Sequence, residues 1–382
     1  MTITAARGFR AAGVAAGIKR TGLDLALVVN DGPLDTAAAV FTANRVKAAP
    51  VLWTQQAVAD GRLRAVVLNS GGANAATGSA GFADTHATAE RVAGALRIGA
   101  GDVAVCSTGL IGERLPLPAV LAGVDAAAAT LGDSGADAAE AIRTTDTVAK
   151  QAARHHPDGW TVGGMAKGAG MLAPSLATML AVLTTDACVD KSTAAVALRA
   201  AVRTTFDRVD GDGCMSTNDT VVLMASGASG VTPSVETLTS AVEHVCRDLA
   251  RQLVADAEGS TKDVTIEVAG AESEADAVDV GRAVARNNLL KCALFGNDPN
   301  WGRVLAAIGT TSAAFEPDEL DVTINGVAVC RKGAAGESRE LVDLSSRAVQ
   351  IGIDLHAGDN AATIWTNDLS FGYVDENSAY ST

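Results

Sequence analysis

Thr178 is the hydroxyl residue whose setting most suggests chemistry. The segment Lys167 to Ala187, KGAGMLAPSLATMLAVLTTDA, runs from a loop containing Gly and Pro into an apolar stretch that begins at this threonine. A threonine in a strand ordinarily serves through its β-branched shape, with its hydroxyl bonded to a neighbour. If the bond between Ala177 and Thr178 is cut, the new α-amine can act as general base for the adjacent hydroxyl. Its reference pKa of about 7.7 to 8.0 leaves part of it unprotonated at neutral pH.

Other chemistries have weaker support in the sequence. Two Gly-rich segments, NSGGANAATG and STGLIG, can form anion-binding turns, but neither has the Lys-Ser/Thr ending or the full dinucleotide fingerprint. No G-x-S-x-G element supports a Ser-His-Asp triad. The five histidines show no metal-ligand spacing; they are His86, His155, His156, His244 and His356.

Composition indicates a globular protein with a substantial core. The chain has 382 residues, of which 48% are hydrophobic and 19% charged, enough for one large domain or two. The net charge of −14, with basic residues scattered along the chain, argues against nucleic acid or an anionic membrane as partner.

The cysteines and the N-terminus favour the cytoplasm. The six cysteines are far apart, without the paired spacing of a zinc site or a disulfide framework. The first twenty residues lack the apolar core of a signal peptide. No segment reaches the roughly 18 to 20 apolar residues of a membrane span.

Periodicity predicts a mixed α and β protein without a strict βαβ rhythm. The predicted strands are DLALVV, AAAVFT, RAVVLN, DVAVCS, TMLAVLTTD, TVVLMAS, VTIEV, LDVTIN and ATIWT. The predicted helices are ADTHATAERVAGALR, TAAVALRAAVRTTFDRV, SVETLTSAVEHVCRDLARQLVADA and AVDVGRAVARNNLL. DPNWGR is expected to start a helix with Trp301 as a packing anchor, and TLGDSGADAA to form a surface connection.

Several blocks together carry a resemblance to a known family. Besides the segment around Thr178, they are GFRAAGVAAGIK, CSTGLIGERLP, TTDT, DGCMSTNDTVVLMASG, AEGSTK, FGNDPNWGRVLAAIG and ENSAYST. In this order they resemble the arginine-biosynthetic ornithine acetyltransferase (glutamate N-acetyltransferase, ArgJ) family, whose members cleave themselves before this threonine. The likeness extends over essentially the whole chain.

The resemblance implies an α+β fold, an Ntn-hydrolase-like (DmpA/ArgJ-like) layered α/β sandwich with a smaller C-terminal α/β domain. It also implies an α chain of residues 1–177 and a β chain of residues 178–382 that begins at the nucleophile. The two chains would form an α2β2 heterotetramer.

The resemblance further assigns roles to individual residues. Thr178 is the expected nucleophile, and Thr108 with Gly109 the expected oxyanion hole. The expected substrate-binding residues are Thr144, Lys167, Thr178, Glu258, Asn377 and Thr382. Lys167 suits a substrate carboxylate and Glu258 an amine, although charged residues of this kind are usually solvated. The tail ENSAYST, taken alone, is typical of a dispensable polar terminus.

The implied reaction moves an acetyl group from N-acetylornithine to glutamate through an acetyl-threonine ester. No metal or redox cofactor is implied, and no nucleic acid or membrane partner. Two alternatives stay open: a self-processing amidohydrolase or aminopeptidase, and a non-enzymatic amino-acid-binding protein. Also open are acetyl-coenzyme A as a second donor and a role in secondary metabolism.

Overall fold

A computed structural model describes residues 2–172 and 179–379 of the chain. The strands are β1 Phe9–Val14, β2 Leu25–Asn30, β3 Thr36–Phe41, β4 Ala65–Asn69, β5 Val103–Ser107, β6 Lys150–His155, β7 Thr161–Lys167, β8 Leu180–Thr185, β9 Thr220–Ala225, β10 Asp263–Ala271, β11 Asp321–Ile324, β12 Val327–Arg331, β13 Ala334–Ala335, β14 Ala348–Asp354 and β15 Asn360–Asn367. The helices are α1 Ala49–Ala57, α2 Gly78–Leu96, α3 Leu117–Ala129, α4 Gly135–Ala141, α5 Lys191–Arg203, α6 Val235–Ala255, α7 Glu274–Ala285, α8 Asn288–Phe295, α9 Trp301–Ile308 and α10 Phe371–Ala379.

Two sheets form the centre of the molecule. The first has the strand order β1-β2-β4-β5 and the second β3-β9-β8-β7-β6. Each contains one parallel pair, β4 with β5 and β8 with β9, and otherwise antiparallel pairs.

The alternation of side chains along the strands explains why these sheets stack in layers. On β2, Ala26 and Val28 face the second sheet, whereas Leu25 and Leu27 pack against α2 and α3. This is the period of two that a strand buried on both faces requires.

The second sheet is covered in the same way. Val182 of β8 joins the core between the sheets, and Leu183 faces α5 and α6. The order helix layer, sheet, sheet, helix layer confirms the expected layered α/β sandwich.

The C-terminal part has a sheet and a core of its own. Its strand order is β13-β12-β11-β14-β10-β15, and α7, α8 and α9 pack on it. Trp301 is the first residue of α9 and contacts this core, as expected from DPNWGR.

Two predicted elements were wrong. Residues 135–139 of the expected surface connection belong to α4, and Ala138 and Ala139 are fully buried. Gly13 allows this helix to approach β1, because a Cβ there would lie 2.1 Å from the carbonyl oxygen of Asp137. The predicted helix over residues 277–290 is interrupted at Asn287, whose side chain caps α8.

None of the helices in the described ranges is long and apolar enough to cross a membrane.

Candidate active site

The candidate site lies where four strands of the two central sheets begin or end. Strand β5 ends at Ser107 and β7 at Lys167, while β8 begins at Leu180 and β9 at Thr220. Lys167 is in register with Leu180, and Leu180 with Thr220. Strand pairing therefore brings Lys167 next to the start of β8, two residues after position 178.

A cleft at this point is lined by most of the residues expected from the sequence. They are Thr108, Gly109, Thr144, Lys167, Glu258 and Asn377. Ala177, Thr178 and Thr382, which were also expected there, lie outside the described residues. Among residues 2–172 and 179–379, no cluster of His, Cys, Asp and Glu is placed to hold a metal ion.

Lys167 connects two of the expected residues. Its Nζ donates to Thr144 Oγ1 at 2.7 Å and to Thr108 Oγ1 at 3.3 Å. The residue is only 1% exposed, so it is not the solvated charge of a loop. Burial lowers the pKa of Lys167, and the neighbouring Asp146 opposes that shift.

The geometry of Thr108 leaves its hydroxyl able to donate into the cleft. The backbone N–H of Thr108 is bonded to Asn69 O at 3.0 Å. Because the Lys167 ammonium can only donate, Thr108 Oγ1 accepts from it, and the hydroxyl hydrogen is available for another acceptor.

Gly109 occupies a position that only glycine fits. Its φ is +131°, and a Cβ there would lie 2.5 Å from the backbone nitrogen of Gly72. The turn after β5 can therefore run tightly against the Gly-rich segment beside it.

Asp146 balances the charge of Lys167 and accepts hydrogen bonds from backbone groups around it. Its Oδ2 lies 3.9 Å from Lys167 Nζ and accepts the Thr144 N–H at 3.1 Å. Its Oδ1 accepts the Gly168 N–H at 2.6 Å and pairs with Lys150 at 2.7 Å. Burial opposes ionisation of Asp146, but Lys167 and Lys150 lower its pKa below the usual range.

Glu258 and Asn377 come together from distant parts of the chain. Asn377 Nδ2, on α10, donates to Glu258 Oε2 at 2.9 Å. Gly170 permits the approach of Glu258, since a Cβ at that position would lie 2.5 Å from Oε2. Gly259 does the same for α10, where a Cβ would lie 2.0 Å from the Tyr373 nitrogen. The described part of the tail, residues 376–379, therefore belongs to a docked helix that supplies Asn377 to the cleft.

Sequence comparison assigns the chain to a known family. The model of the ArgJ family matches residues 10–382. The chain belongs to the ArgJ family. Two relatives named arginine biosynthesis bifunctional protein ArgJ, from Streptomyces avermitilis and Mycobacterium leprae, are 65% and 60% identical. The alignments span 100% of this chain and 100% and 96% of the respective relatives.

Part of the chain is similar to a solved structure. It is a crystal structure of ornithine acetyltransferase complexed with ornithine from Mycobacterium tuberculosis, 66% identical to this chain. The match covers 46% of this chain and 95% of that one, with a TM-score of 0.45.

Several cleft residues of this ArgJ family member were missed by the sequence analysis. Ser216, Thr217 and Asn218 line the cleft, and they belong to the block DGCMSTNDT, which signalled the family but received no role. Asn218 Nδ2 donates to Ser107 O at 2.7 Å and to Ala73 O at 2.6 Å. It thereby ties the start of β9 to the end of β5, directly before Thr108.

Proposed function

We propose that this chain transfers the acetyl group of N2-acetyl-L-ornithine to L-glutamate, giving L-ornithine and N-acetylglutamate. The observation that carries the proposal is the contact of one buried lysine, Lys167, with both Thr108 and Thr144 in a cleft that also contains Glu258 and Asn377. Membership of the ArgJ family and the names of the relatives support the same reaction.

In the first half-reaction, Thr178 Oγ attacks the acetyl carbonyl while the Thr178 α-amine takes its proton. The Thr108 hydroxyl and the Gly109 N–H stabilise the oxyanion. Ornithine then leaves, and an acetyl-threonine ester remains.

In the second half-reaction, the amine of glutamate attacks that ester and restores the threonine. Because both half-reactions are acyl transfers, by way of the threonine ester, the mechanism needs no redox step. The two substrates use the same cleft in turn, which gives ping-pong kinetics.

The charges of the cleft residues are complementary to those of an amino-acid substrate. Lys167 binds the substrate carboxylate and Glu258 an amine, with Thr144 and Asn377 as further polar contacts. Thr382 adds the last contact from the tail. The word bifunctional in the relatives' names supports a test of acetyl-coenzyme A as a second acetyl donor.

The active form arises by cleavage between Ala177 and Thr178. The resulting α chain, 1–177, and β chain, 178–382, stay together in an α2β2 assembly in the cytoplasm. Cleavage supplies the α-amine that the transfer mechanism requires.

Intact mass spectrometry and an acetyl-transfer assay test the proposal together. The purified wild type is expected to show two fragments and glutamate-dependent release of ornithine. Thr178→Ala should leave one full-length, inactive chain, whereas Thr178→Ser, which retains a hydroxyl, should still be cut.

Other outcomes would favour the alternatives. Ornithine release that does not need glutamate would indicate an amidohydrolase. An uncut wild type that binds amino acids without transfer would indicate a binding protein. Cleavage of Thr178→Ala at the same bond would remove Thr178 as nucleophile.

A further inference from the structure

Chain cleavage poses a chemical problem that the transfer reaction does not have. Before the chain is cut, the nitrogen of Thr178 belongs to a peptide bond and has no basic lone pair. The α-amine therefore cannot activate the hydroxyl during maturation, and another group must take its proton. This reasoning rests on the proposed function, in which Thr178 is the nucleophile.

Asp219 contacts the peptide group that follows Thr178. Its Oδ1 accepts the N–H of Met179 at 3.0 Å. The Met179 nitrogen is covalently bonded to the carbonyl carbon of residue 178, so Asp219 binds the peptide N–H that directly follows the proposed nucleophile in the chain. Asp219 immediately precedes β9 and is 0% exposed.

The second oxygen of Asp219 is the unusual one. Oδ2 is buried and has no hydrogen-bond partner within the described part of the chain. A buried carboxylate oxygen without a partner is costly and calls for an explanation. A role in handling a proton provides one.

The groups around Asp219 set its protonation. Burial raises the pKa of Asp219 well above its usual range, against the Met179 hydrogen bond and the effect of the nearby Ser216 side chain. The charged groups facing it are Lys167 on β7, which opposes the rise, and Asp207, which adds to it. A carboxyl group with a raised pKa is a more effective base than an ordinary one.

Lys167 is a less suitable base for this step. Its Nζ donates to Thr108 and Thr144 and lies 3.9 Å from the Asp146 carboxylate. Burial lowers the pKa of Lys167, but Asp146 opposes that shift and favours the ammonium form, which has no lone pair to accept a proton.

We propose that Asp219 is the general base of chain cleavage before Thr178. Its Oδ2 takes the hydroxyl proton as Thr178 Oγ bonds to the carbonyl carbon of Ala177. The same proton passes to the Thr178 nitrogen as the bond between that carbon and the nitrogen breaks. Water then hydrolyses the ester: its oxygen stays on the Ala177 carboxylate, and Oγ regains a proton.

Asp219→Asn is the decisive variant, because the amide oxygen can still accept the Met179 N–H but the group cannot act as a base. Intact mass spectrometry of freshly purified precursor, followed over time at several pH values, measures the cleavage rate. Wild-type cleavage should accelerate as pH rises through the pKa of Asp219. The variant should cleave about 10²- to 10⁴-fold more slowly, the usual contribution of a general base, and its rate should lose this pH dependence.

Asp210→Asn is the matched control. Asp210 belongs to the same loop, is also 0% exposed and has one oxygen without a described partner. Its other oxygen pairs with Arg286 at 2.8 Å rather than with Met179. Asp210→Asn should be cut like the wild type. If it is slowed as strongly as Asp219→Asn, the effect belongs to the loop and the proposal fails.

Two further outcomes keep the proposal open to refutation. The proposal would be overturned if the Asp219→Asn precursor is cut at the wild-type rate, or if it is cut slowly but with the pH dependence of the wild type. If that variant does not show a cooperative thermal transition, Asp219→Glu takes its place: a shifted pH midpoint of cleavage supports the proposal, and an unshifted one overturns it. An uncut wild type would contradict the proposed function itself, whatever Asp219 does.

Discussion

Asp146 Oδ2 lies 3.9 Å from the ammonium group of Lys167, and both side chains are almost completely buried. A buried cation without a counter-charge would be unfavourable or would lose its proton. The same carboxylate holds the Thr144 N–H and, through Lys150, connects to Asp256. One carboxyl group therefore balances the charge of Lys167 and positions the backbone of Thr144, two proposed substrate-binding residues.

Asp146→Asn should weaken substrate binding more than it slows chemistry. Loss of the counter-charge favours neutral Lys167, which binds a carboxylate less well. Hydrogen bonds to charged groups contribute about 1.5 to 3 kcal/mol, so KM for glutamate should rise roughly 10- to 100-fold. Steady-state kinetics at varied glutamate would show this with a much smaller change in kcat.

The control for this variant is Asp158→Asn, in a turn where the side chain is 68% exposed. It should leave both kinetic constants as in the wild type. Unchanged KM in Asp146→Asn would show that Lys167 does not need this partner to bind substrate.

Thr108→Ala should slow acetyl transfer without a large effect on KM for glutamate. The variant removes a hydroxyl that can donate to the oxyanion, and loss of one such donor lowers the rate by up to about 10²- to 10³-fold. Thr108→Ser keeps the hydroxyl and should recover most of the activity. Equal kcat in Thr108→Ala and the wild type would remove Thr108 from the oxyanion hole.

The sequence predicted the strands that are continuous apolar runs better than the strand that glycine interrupts. Strands such as β4 and β9 consist of apolar runs and were expected. The strand β7, TVGGMAK, was missed because glycine is depleted in strands. In the structure, glycine is required at position 163, since a Cβ there would lie 2.8 Å from the backbone carbonyl oxygen of Thr2.

The candidate site, too, could be predicted from the sequence only in part. The family blocks predicted Lys167 and Thr144 as substrate-binding residues. No spacing in the sequence indicates that Asp146 contacts both of them and pairs with Lys150. Those contacts depend on how β6 and β7 pair and on the approach of α6 with Asp256. The Asp219 oxygen that has no hydrogen-bond partner among the described residues is likewise a result of packing, which a sequence pattern does not contain.

Asp210 should make stability depend on pH in weakly acidic solution. Burial raises its pKa from 3.8 to about 6, although Arg286 opposes the shift. Between these pKa values the folded state binds more protons than the unfolded state, so this contribution to stability is lost as pH rises from about 4 to about 6. A shift of this size corresponds to a free energy on the order of 2 to 3 kcal/mol.

Denaturant unfolding of Asp210→Asn at several pH values between 4 and 6 measures this effect. The free energy of unfolding of the wild type, relative to the variant, should decrease across that range. Asp279→Asn, at an exposed position of α7, should follow the wild type. A parallel pH dependence in wild type and Asp210→Asn would show that Asp210 titrates normally.

The C-terminal helix should matter for transfer but not for chain cleavage. Asn377 donates to Glu258 in the cleft, while the hydroxyl of neighbouring Ser378 donates to Asp375 O, within the same helix, at 3.2 Å. Deletion of residues 377–382 removes Asn377 and Thr382 from the proposed substrate pocket and leaves β7, β8 and Asp219 intact. The truncated protein should therefore still yield two fragments on a gel but show a raised KM for acetylornithine or glutamate. Asn377→Ala should reproduce part of that rise, because Glu258 loses its amide partner, and Ser378→Ala should not. Wild-type kinetics in both the truncated protein and Asn377→Ala would show that the docked helix is dispensable for substrate binding.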